Sequence, residues 1–356
     1  MKERLKIENF GPVKHLDIEI KPLTLFIGTQ GSGKSTISKI ITIFRNQEWE
    51  KQIEENNKDF LMKAFFNFNI DEYFQTDSYI SYINNHIEIN YQNGEFSSKH
   101  LNEKKEAYSA SSSMLYIPAE RNLVGNLSSA LASIILAKVP LSETIIEYMS
   151  LFEKAKKEFP KYEIPFLGVS YEKKDGKERI VVSEEGKSLP LNACSSGLQS
   201  VLPMIMVMDY ALQNESFDSF VVEEPEQNLF PENQRELLNF TCSKLNTEHF
   251  KQCVITTHSP YMLSCLNVLM LAAKLQQIED VKEESEKIIS SEYAVNPTDV
   301  AVYGLYPTAE RNDYCKSLIA ERTGLISINE LDSVSEMIGE RFDQLYQLYL
   351  KTFKKK

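Results

Sequence analysis

The sequence predicts an α/β fold with a mixed sheet, and three apolar runs of strand length support this prediction. Leu23–Ile27 is followed by a Gly/Ser-rich loop and then by a segment whose apolar residues have the spacing of a helix. Phe220–Val222 ends in two carboxylates, and Val254–Ile255 ends in Thr-Thr-His. Because the carboxyl ends of parallel strands meet at one edge of a sheet, we expect these polar residues to lie close together.

The composition restricts the class of protein. The chain has 356 residues, with 42% hydrophobic and 25% charged residues, as in ordinary globular proteins of one large or two modest domains. A formal net charge of −12 argues against a surface shaped entirely for nucleic acid, although a local basic groove stays open. No apolar run approaches 18 residues, and the five cysteines include no C-x-x-C pair. These features predict a cytoplasmic protein without membrane contact.

The chain begins with an antiparallel element. Two short alternating runs, Arg4–Glu8 and His15–Ile20, predict a β-hairpin that leads into the strand at Leu23. Such a hairpin usually serves packing alone. Its turn contains Phe10, which is a candidate to stack on an adenine ring if the turn approaches a nucleotide.

The segment from Gly28 to Ser35 has the spacing G-x-x-x-x-G-K-S. Glycines let such a loop curl so that backbone N–H groups point at phosphate oxygens, and the N-terminus of the next helix adds partial positive charge. Lys34 is expected to reach the β- and γ-phosphates, and the Ser35 hydroxyl to bind Mg²⁺. The predicted nucleotide-binding residues here are Gly28, Thr29, Gln30, Gly31, Ser32, Gly33, Lys34, Ser35 and Thr36.

Two stretches without a chemical signature follow. Residues 46–110 predict an inserted arm with a β-meander, and residues 126–189 predict a helical lobe with a β-hairpin. The predicted organisation is a single domain with a nucleotide-binding core of residues 1–45, 111–125 and 190–275, these two insertions, and a C-terminal extension of residues 276–356.

Ser195-Ser196-Gly197 precedes a long apolar run and is typical of a helix N-terminus, which can bind an anion. An ordinary helix cap is the alternative interpretation. Pro203 lies within the predicted helix, where it costs about 3 kcal/mol, so we expect a kink or a later start.

The carboxylates Glu223 and Glu224 follow a buried-strand pattern. Adjacent strand residues point to opposite sides of the sheet, which separates their roles. Glu223 is predicted to hold Mg²⁺ through its water shell, and Glu224 to orient and deprotonate an attacking water. A solvated acidic turn is the alternative, and the phosphate loop argues against it. His258 ends a strand that should lie beside the acidic one, where it would hydrogen-bond the γ-phosphate, although a lone histidine is more often structural.

Taken in order, four blocks resemble the head of ABC-type ATPases, and more closely the SMC-like and OLD-like bacterial ATPases of the AAA group. These blocks are the phosphate loop, Ser195–Gln199, Glu223–Glu226 and Thr257–Pro260. The resemblance implies a P-loop NTPase fold with an N-terminal antiparallel subdomain and an inserted helical lobe. It also implies ATP and Mg²⁺ as cofactors, with ATP hydrolysed to ADP and phosphate.

The resemblance further implies a head-to-tail homodimer or a higher oligomer formed around ATP. Ser195 and Gly197 would contact the γ-phosphate of the nucleotide held by the other copy, His258 would act as the switch histidine, and Asn228-Leu229 would cross the interface. Cys194 and Ser196 depart from the common Leu-Ser-Gly-Gly signature.

The family's Q-loop is expected near Ala119–Arg121, and which residue there would meet Mg²⁺ or water stays open. After Lys274 no Asp-x-Asp cluster occurs, so a toprim nuclease domain is not expected. The helical pattern from about Asn329 to Phe353 is expected to pack on the core or on a partner.

The resemblance implies a slow ATPase whose dimerisation controls a separate effector, such as a nuclease, in bacterial genome maintenance or anti-phage defence. Two alternatives stay open. In the first, the protein is an ATP-switched scaffold in which hydrolysis is incidental. In the second, it is a P-loop kinase for a small molecule, which would leave Ser195 and His258 without a role. Contact with nucleic acid also stays open.

Overall fold

The computed structural model describes residues 3–45, 58–101, 114–127, 136–137, 141–174, 176–182, 186–247, 249–327 and 330–353. Parts of the predicted arm and lobe therefore lie outside the described residues. The helices are α1 (Lys34–Phe44), α2 (Lys58–Asn67), α3 (Val124–Leu127), α4 (Glu143–Glu158), α5 (Ser196–Gln213), α6 (Pro231–Leu245), α7 (Pro260–Leu275), α8 (Glu279–Ile288) and α9 (Glu330–Phe353). The strands are β1 (Glu3–Phe10), β2 (Val13–Ile20), β3 (Leu23–Gly28), β4 (Tyr79–Ile83), β5 (Ile87–Gln92), β6 (Glu95–His100), β7 (Met114–Ile117), β8 (Lys161–Ile164), β9 (Val169–Lys174), β10 (Lys177–Val182), β11 (Ser188–Leu189), β12 (Ser219–Glu223), β13 (Gln252–Thr257), β14 (Val300–Leu305) and β15 (Cys315–Ser317).

The central sheet carries the three predicted strands and has the order β15-β14-β3-β13-β12-β7. All neighbouring pairs are parallel except β14 with β15, which confirms a mixed α/β sheet. The prediction that the His258 strand lies beside the acidic strand is confirmed, because Glu223 pairs with Thr256. Strand β14 lies beside β3, so the core sheet extends past the predicted core limit at residue 275.

Side chains of β3 alternate between two hydrophobic clusters. Leu25 and Ile27 belong to the cluster that includes much of α5, whereas Phe26 belongs to the cluster that includes the apolar face of α1. Because side chains alternate along a strand, both faces of the sheet are covered. This double coverage fixes the end of β3, from which the phosphate loop departs.

An antiparallel sheet of order β2-β1-β4-β5-β6 lies against the same α1 cluster. The predicted N-terminal hairpin is confirmed, and the predicted meander joins it, since β1 pairs with both β2 and β4. Phe10 is fully buried, and its ring lies 4.9 Å from Phe74 and 6.0 Å from Phe65, between centroids. The suggestion that Phe10 stacks on adenine is therefore wrong, because its ring is enclosed by other aromatic residues.

The predicted lobe contains α4 and a sheet of order β11-β10-β9-β8, in which β9 and β10 form the predicted hairpin. Helix α5 runs from Ser196 through Pro203, which excludes a later start. Most residues of α5 are buried, so packing offsets the cost of the proline. Among the described helices, none combines the length and apolar character needed to cross a membrane.

Candidate functional site

The phosphate loop joins β3 to α1 and depends on glycine at three points. Gly31 and Gly33 have φ angles of 74° and 94°, which glycine adopts without strain. A Cβ at Gly28 would lie 2.6 Å from the carbonyl oxygen of Leu305 on β14. Gly33 caps α1 without a side-chain hydrogen bond, and the first turn of α1 contains no acidic residue. The first N–H groups of α1 therefore remain suited to an anion.

Lys34 is buried and folded back on its own loop. Its Nζ donates to the carbonyl oxygens of Gly28 at 2.9 Å and Thr29 at 3.0 Å, and lies 3.5 Å from the Ser32 hydroxyl. Burial lowers the pKa of Lys34 to about 8, and nearby carboxylates, above all Glu224, oppose this shift. The ammonium group is thus held by neutral oxygens that a phosphate would outcompete.

The other loop residues differ in exposure. Thr29, Gln30, Gly31 and Ser35 are exposed, whereas Ser32, Gly33 and Thr36 are buried. The exposed hydroxyl of Ser35 at the start of α1 is suited to a cation, while the buried residues hold the shape of the loop. The donor set of a hydroxyl and nearby carboxylates fits Mg²⁺, which prefers oxygen ligands.

Tyr314 supports the phosphate loop and was not among the residues predicted from the sequence. This residue precedes β15, is fully buried, and its hydroxyl donates to the carbonyl oxygen of Ser32. A Cβ at Gly33 would lie only 2.5 Å from the Tyr314 hydroxyl. The supposed C-terminal extension therefore contributes to the wall of the phosphate loop. No sequence signal marks Tyr314, since the contact depends on the pairing of β14 with β3.

Glu223 is the last residue of β12, and its carboxylate faces α1. Oε1 accepts a hydrogen bond of 3.0 Å from the hydroxyl of Ser38, which follows Ser35 by one turn of the helix. The Glu223 side chain is buried. The carboxylate thus lies along the same helix face as the predicted Mg²⁺ ligand Ser35, which fits a metal role for this pair.

Glu224 has the left-handed backbone conformation, with φ of 43°, and such a conformation costs about 1–3 kcal/mol outside glycine. Its N–H donates to the carbonyl oxygen of Thr256 at 2.9 Å. Its Oε1 lies 3.3 Å from Nε2 of His258. The hydrogen bond from His258 lowers the pKa of Glu224 below its ordinary value, so the carboxylate is ionised. The structure therefore brings together the predicted base and the predicted switch histidine.

Arg121 holds the backbone of Glu224 in its left-handed conformation, a role that was not predicted from the sequence. The side chain is fully buried, and its guanidinium group donates to the carbonyl oxygens of Pro118, Glu223 and Glu224. Burial lowers the pKa of Arg121 below its ordinary value. Within the expected Q-loop position, Arg121 therefore holds the end of β12, while the neighbouring Glu120 is exposed.

Glu226 links the acidic turn to the end of β13. Its Oε1 accepts from the Thr257 hydroxyl at 2.6 Å and from the backbone N–H of His258 at 2.9 Å. Oε2 is buried without a hydrogen-bond partner in the described part of the chain. The motif Glu223–Glu226 was recognised from the sequence, but this positioning of His258 was not.

Ser195 is the N-cap of α5, and its Oγ accepts from the N–H of Leu198 at 3.4 Å. The side chain is exposed. A Cβ at Gly197 would lie 2.7 Å from the carbonyl oxygen of Asn228, so glycine lets the start of α5 pack on that loop. The capping interpretation is confirmed, and the exposed Ser195 remains accessible to a second molecule.

Comparison with known proteins identifies the family. A family model described as "AAA ATPase domain" matches residues 1–135 and 139–263, which is more than half of the chain. The chain belongs to the AAA ATPase domain family. This membership confirms the AAA-group resemblance seen in the sequence. The chain matches none of the curated proteins.

Solved structures give weaker similarities to this AAA ATPase domain. The SMC head domain from Thermotoga maritima has 11% identity and a TM-score of 0.43, with 74% of this chain and 92% of that chain covered. The Smc head with an extended coiled coil, bound to the C-terminal domain of ScpA and derived from Pyrococcus furiosus, has 11% identity and a TM-score of 0.42, with 95% and 98% covered. An ATP-binding subunit of an ABC transporter has 15% identity and a TM-score of 0.34, with 94% and 99% covered. Identities and scores at this level transfer no function.

Proposed function

We propose that this AAA ATPase domain binds ATP with Mg²⁺ and hydrolyses ATP to ADP and phosphate. The observation that carries the proposal is the contact between Glu224 and His258, 3.3 Å from Oε1 to Nε2, at the sheet edge from which the phosphate loop departs. Nucleotide-binding loops need a cation and free N–H groups for phosphate, and hydrolysis needs a base for water. Lys34 provides the cation, the first turn of α1 provides the N–H groups, and Glu224 provides the base.

The proposed chemistry assigns each residue a separate task. Lys34 leaves the carbonyl oxygens of its loop and binds the β- and γ-phosphates. Ser35 and Glu223 hold Mg²⁺, which when bound neutralises charge on the phosphate oxygens. Glu224 orients the attacking water and accepts its proton, and His258 donates a hydrogen bond to the γ-phosphate.

A second copy of the chain completes the proposed site. Ser195 and Gly197, with the N-terminal dipole of α5, contact the γ-phosphate bound by the other copy in a head-to-tail dimer. Support comes from the exposure of Ser195 and from the packing of Gly197 on the Asn228 loop, which would cross the interface. ATP binding would then close the dimer and hydrolysis would open it.

The biological part of the proposal rests on the sequence resemblance to SMC-like and OLD-like ATPases. The dimer cycle controls a separate effector, such as a nuclease, in the cytoplasm, and the setting is bacterial genome maintenance or anti-phage defence. Contact with DNA or RNA is tested by measuring salt-dependent duplex binding with and without ATP.

The substitution Glu224→Gln tests the assignment of the base. It keeps the size of the side chain but removes its ability to accept a proton, so phosphate release should fall by about 100-fold or more. ATP-bound dimers should persist, because Lys34 and the phosphate loop are unchanged. Phosphate release and light scattering measure the two quantities. Glu232→Gln, at an exposed position in the first turn of α6, is the matched control and should hydrolyse ATP normally.

Unchanged phosphate release in Glu224→Gln would overturn the proposal. A Lys34→Ala variant should lose ATP binding and with it the ATP-dependent head-to-tail closure. If the biological output survives Glu224→Gln but not Lys34→Ala, the protein acts as an ATP-switched scaffold. A phosphorylated acceptor among the products would instead reveal a kinase.

A further inference from the structure

Helix α9 presents a row of large apolar side chains to solvent. Ile338, Phe342 and Leu345 are 60%, 65% and 67% exposed, and Tyr346 is 47% exposed. Residues three and four apart lie on the same helix face, so these side chains form one stripe. In the sequence the alternation of three and four residues extends back through the polar position 335 to the apolar position 331. Contiguous exposed apolar surface of this kind marks an interaction site.

The charges of this segment are unevenly distributed along its length. The first two thirds of α9 carry five acidic residues and one basic residue, which are Glu330, Asp332, Glu336, Glu340, Asp343 and Arg341. The end of the segment carries four lysines, which are Lys351, Lys354, Lys355 and Lys356. The sequence is therefore acidic over the part that carries the apolar stripe and basic at its end.

We propose that α9 pairs with α9 of a second copy of this chain, antiparallel about a two-fold axis near residues 342 and 343. The alternation of three and four residues is the pattern by which two helices pack side by side. An antiparallel arrangement places the acidic end of each helix against the basic end of the other, and a parallel arrangement would place like charges together. The charge pattern thus selects a second copy, in one orientation, as the occupant of the stripe.

This interface goes beyond the proposed ATP-dependent dimer, because α9 shares no residue with the phosphate loop or Ser195. Two chains joined through α9 remain a pair when the nucleotide site is empty. Closure around ATP then becomes an intramolecular event with a raised effective concentration. The prediction is a dimer in the absence of ATP, and also in a Lys34→Ala background.

The first experiment measures the mass of the full chain without nucleotide, by light scattering over a range of concentrations. The wild-type protein should be a dimer. Phe342→Glu with Leu345→Glu should raise the dissociation constant by about 100-fold or more, since four apolar side chains per dimer are lost and like charges face each other. Gln344→Glu with Gln347→Glu adds the same charge to the opposite face of α9 and should leave the dimer intact. Thermal unfolding verifies that both variants are folded.

A monomeric wild-type chain, as expected for a helix that binds a different protein, would overturn the proposal. Equal masses for the two double variants would also overturn it. ATP-induced closure of the Glu224→Gln protein should still occur at high concentration when the α9 stripe carries the two glutamates. Failure of the α9 interface and failure of the ATP-dependent interface are therefore distinguishable.

The second experiment tests orientation by charge reversal. Changing Glu330 and Asp332 to lysine, or Lys354, Lys355 and Lys356 to glutamate, should each weaken the nucleotide-free dimer by about tenfold. Combining both sets should restore it, because opposite charges again face each other. In a parallel pair, each single reversal would only replace one like-charge contact by another, and the dimer would not weaken. An unchanged mass of the two singly reversed variants would therefore refute the antiparallel arrangement.

Discussion

Replacement of Arg121 by methionine tests how the strained base is held in place. The guanidinium group donates to carbonyl oxygens at the end of β12, including those of Glu223 and Glu224. The Glu224 oxygen keeps a second hydrogen bond, from the N–H of Gln227 at 3.0 Å, whereas the Glu223 oxygen loses its donor. Leaving one buried acceptor without a donor costs about 1–3 kcal/mol. Removing a fully buried charge offsets part of this cost. We therefore expect the free energy of unfolding to fall by about 1–2 kcal/mol.

The larger effect is expected on turnover. Without Arg121, the left-handed backbone of Glu224 is free to relax, and the carboxylate moves from its position. A displacement of about 1 Å lowers kcat by about 100-fold. The KM for ATP should change little, because the contacts of Lys34 and α1 are not touched. Arg121→Lys should recover only part of kcat, since one ammonium group cannot match the guanidinium fork.

Steady-state phosphate release gives kcat and KM, and chemical denaturation gives stability. Lys156 is the matched control, because it is a buried basic residue in α4 with ion pairs to Glu153 at 2.7 Å and Glu178 at 3.0 Å. Lys156→Met should lose stability and keep kcat. A folded Arg121→Met protein with wild-type kcat would refute the claim that Arg121 positions Glu224.

Three further predictions concern the support of the site. At pH 8 nucleotide binding should take up about half a proton, because burial lowers the pKa of Lys34 to about 8 and phosphate restores its charge; titration calorimetry in two buffers measures this uptake, which should vanish near pH 6. Tyr314→Phe should raise the KM for ATP several-fold and cost about 1 kcal/mol, by losing the hydrogen bond to Ser32. Tyr171→Phe, which removes a buried hydroxyl without a hydrogen-bond partner in the described residues, should leave KM unchanged. Glu226→Ala should lower kcat about tenfold and Glu226→Gln should restore most of it, because the amide oxygen still accepts the hydrogen bonds from the end of β13.

The residues that were predictable from the sequence are those whose position follows from a local pattern. The phosphate loop lies between a strand and a helix, and Glu224 and His258 end strands that pair side by side. In each case an apolar run marks the strand, and the parallel arrangement brings the strand ends to one edge. The sequence therefore defines the edge of the sheet and the chemistry gathered there.

The site residues that were not predicted bind backbone atoms or contact residues that are distant in the sequence. Arg121 binds carbonyl oxygens, which every residue possesses and which no pattern distinguishes. Tyr314 and Ser32 are separated by 282 positions, so their contact depends on the pairing of β14 with β3. The prediction that Phe10 stacks on adenine was wrong for a related reason. An aromatic residue in a turn can contact a ligand or pack in the core, and the sequence does not distinguish the two. Local sequence patterns do not determine these tertiary contacts.

The nucleotide-free arrangement holds both reactive side chains on partners that ATP would replace. Lys34 rests on carbonyl oxygens of its own loop, and Glu224 accepts the hydrogen bond of His258. Under the proposed function, Lys34 leaves these carbonyl oxygens and binds the phosphates, and the N–H of His258 donates to the γ-phosphate instead of to Glu224. Loss of that hydrogen bond raises the pKa of Glu224 towards its ordinary value and makes it a stronger base. The same exchange that binds ATP would then prepare Glu224 to accept a proton from water, so a bound γ-phosphate is what makes the base competent.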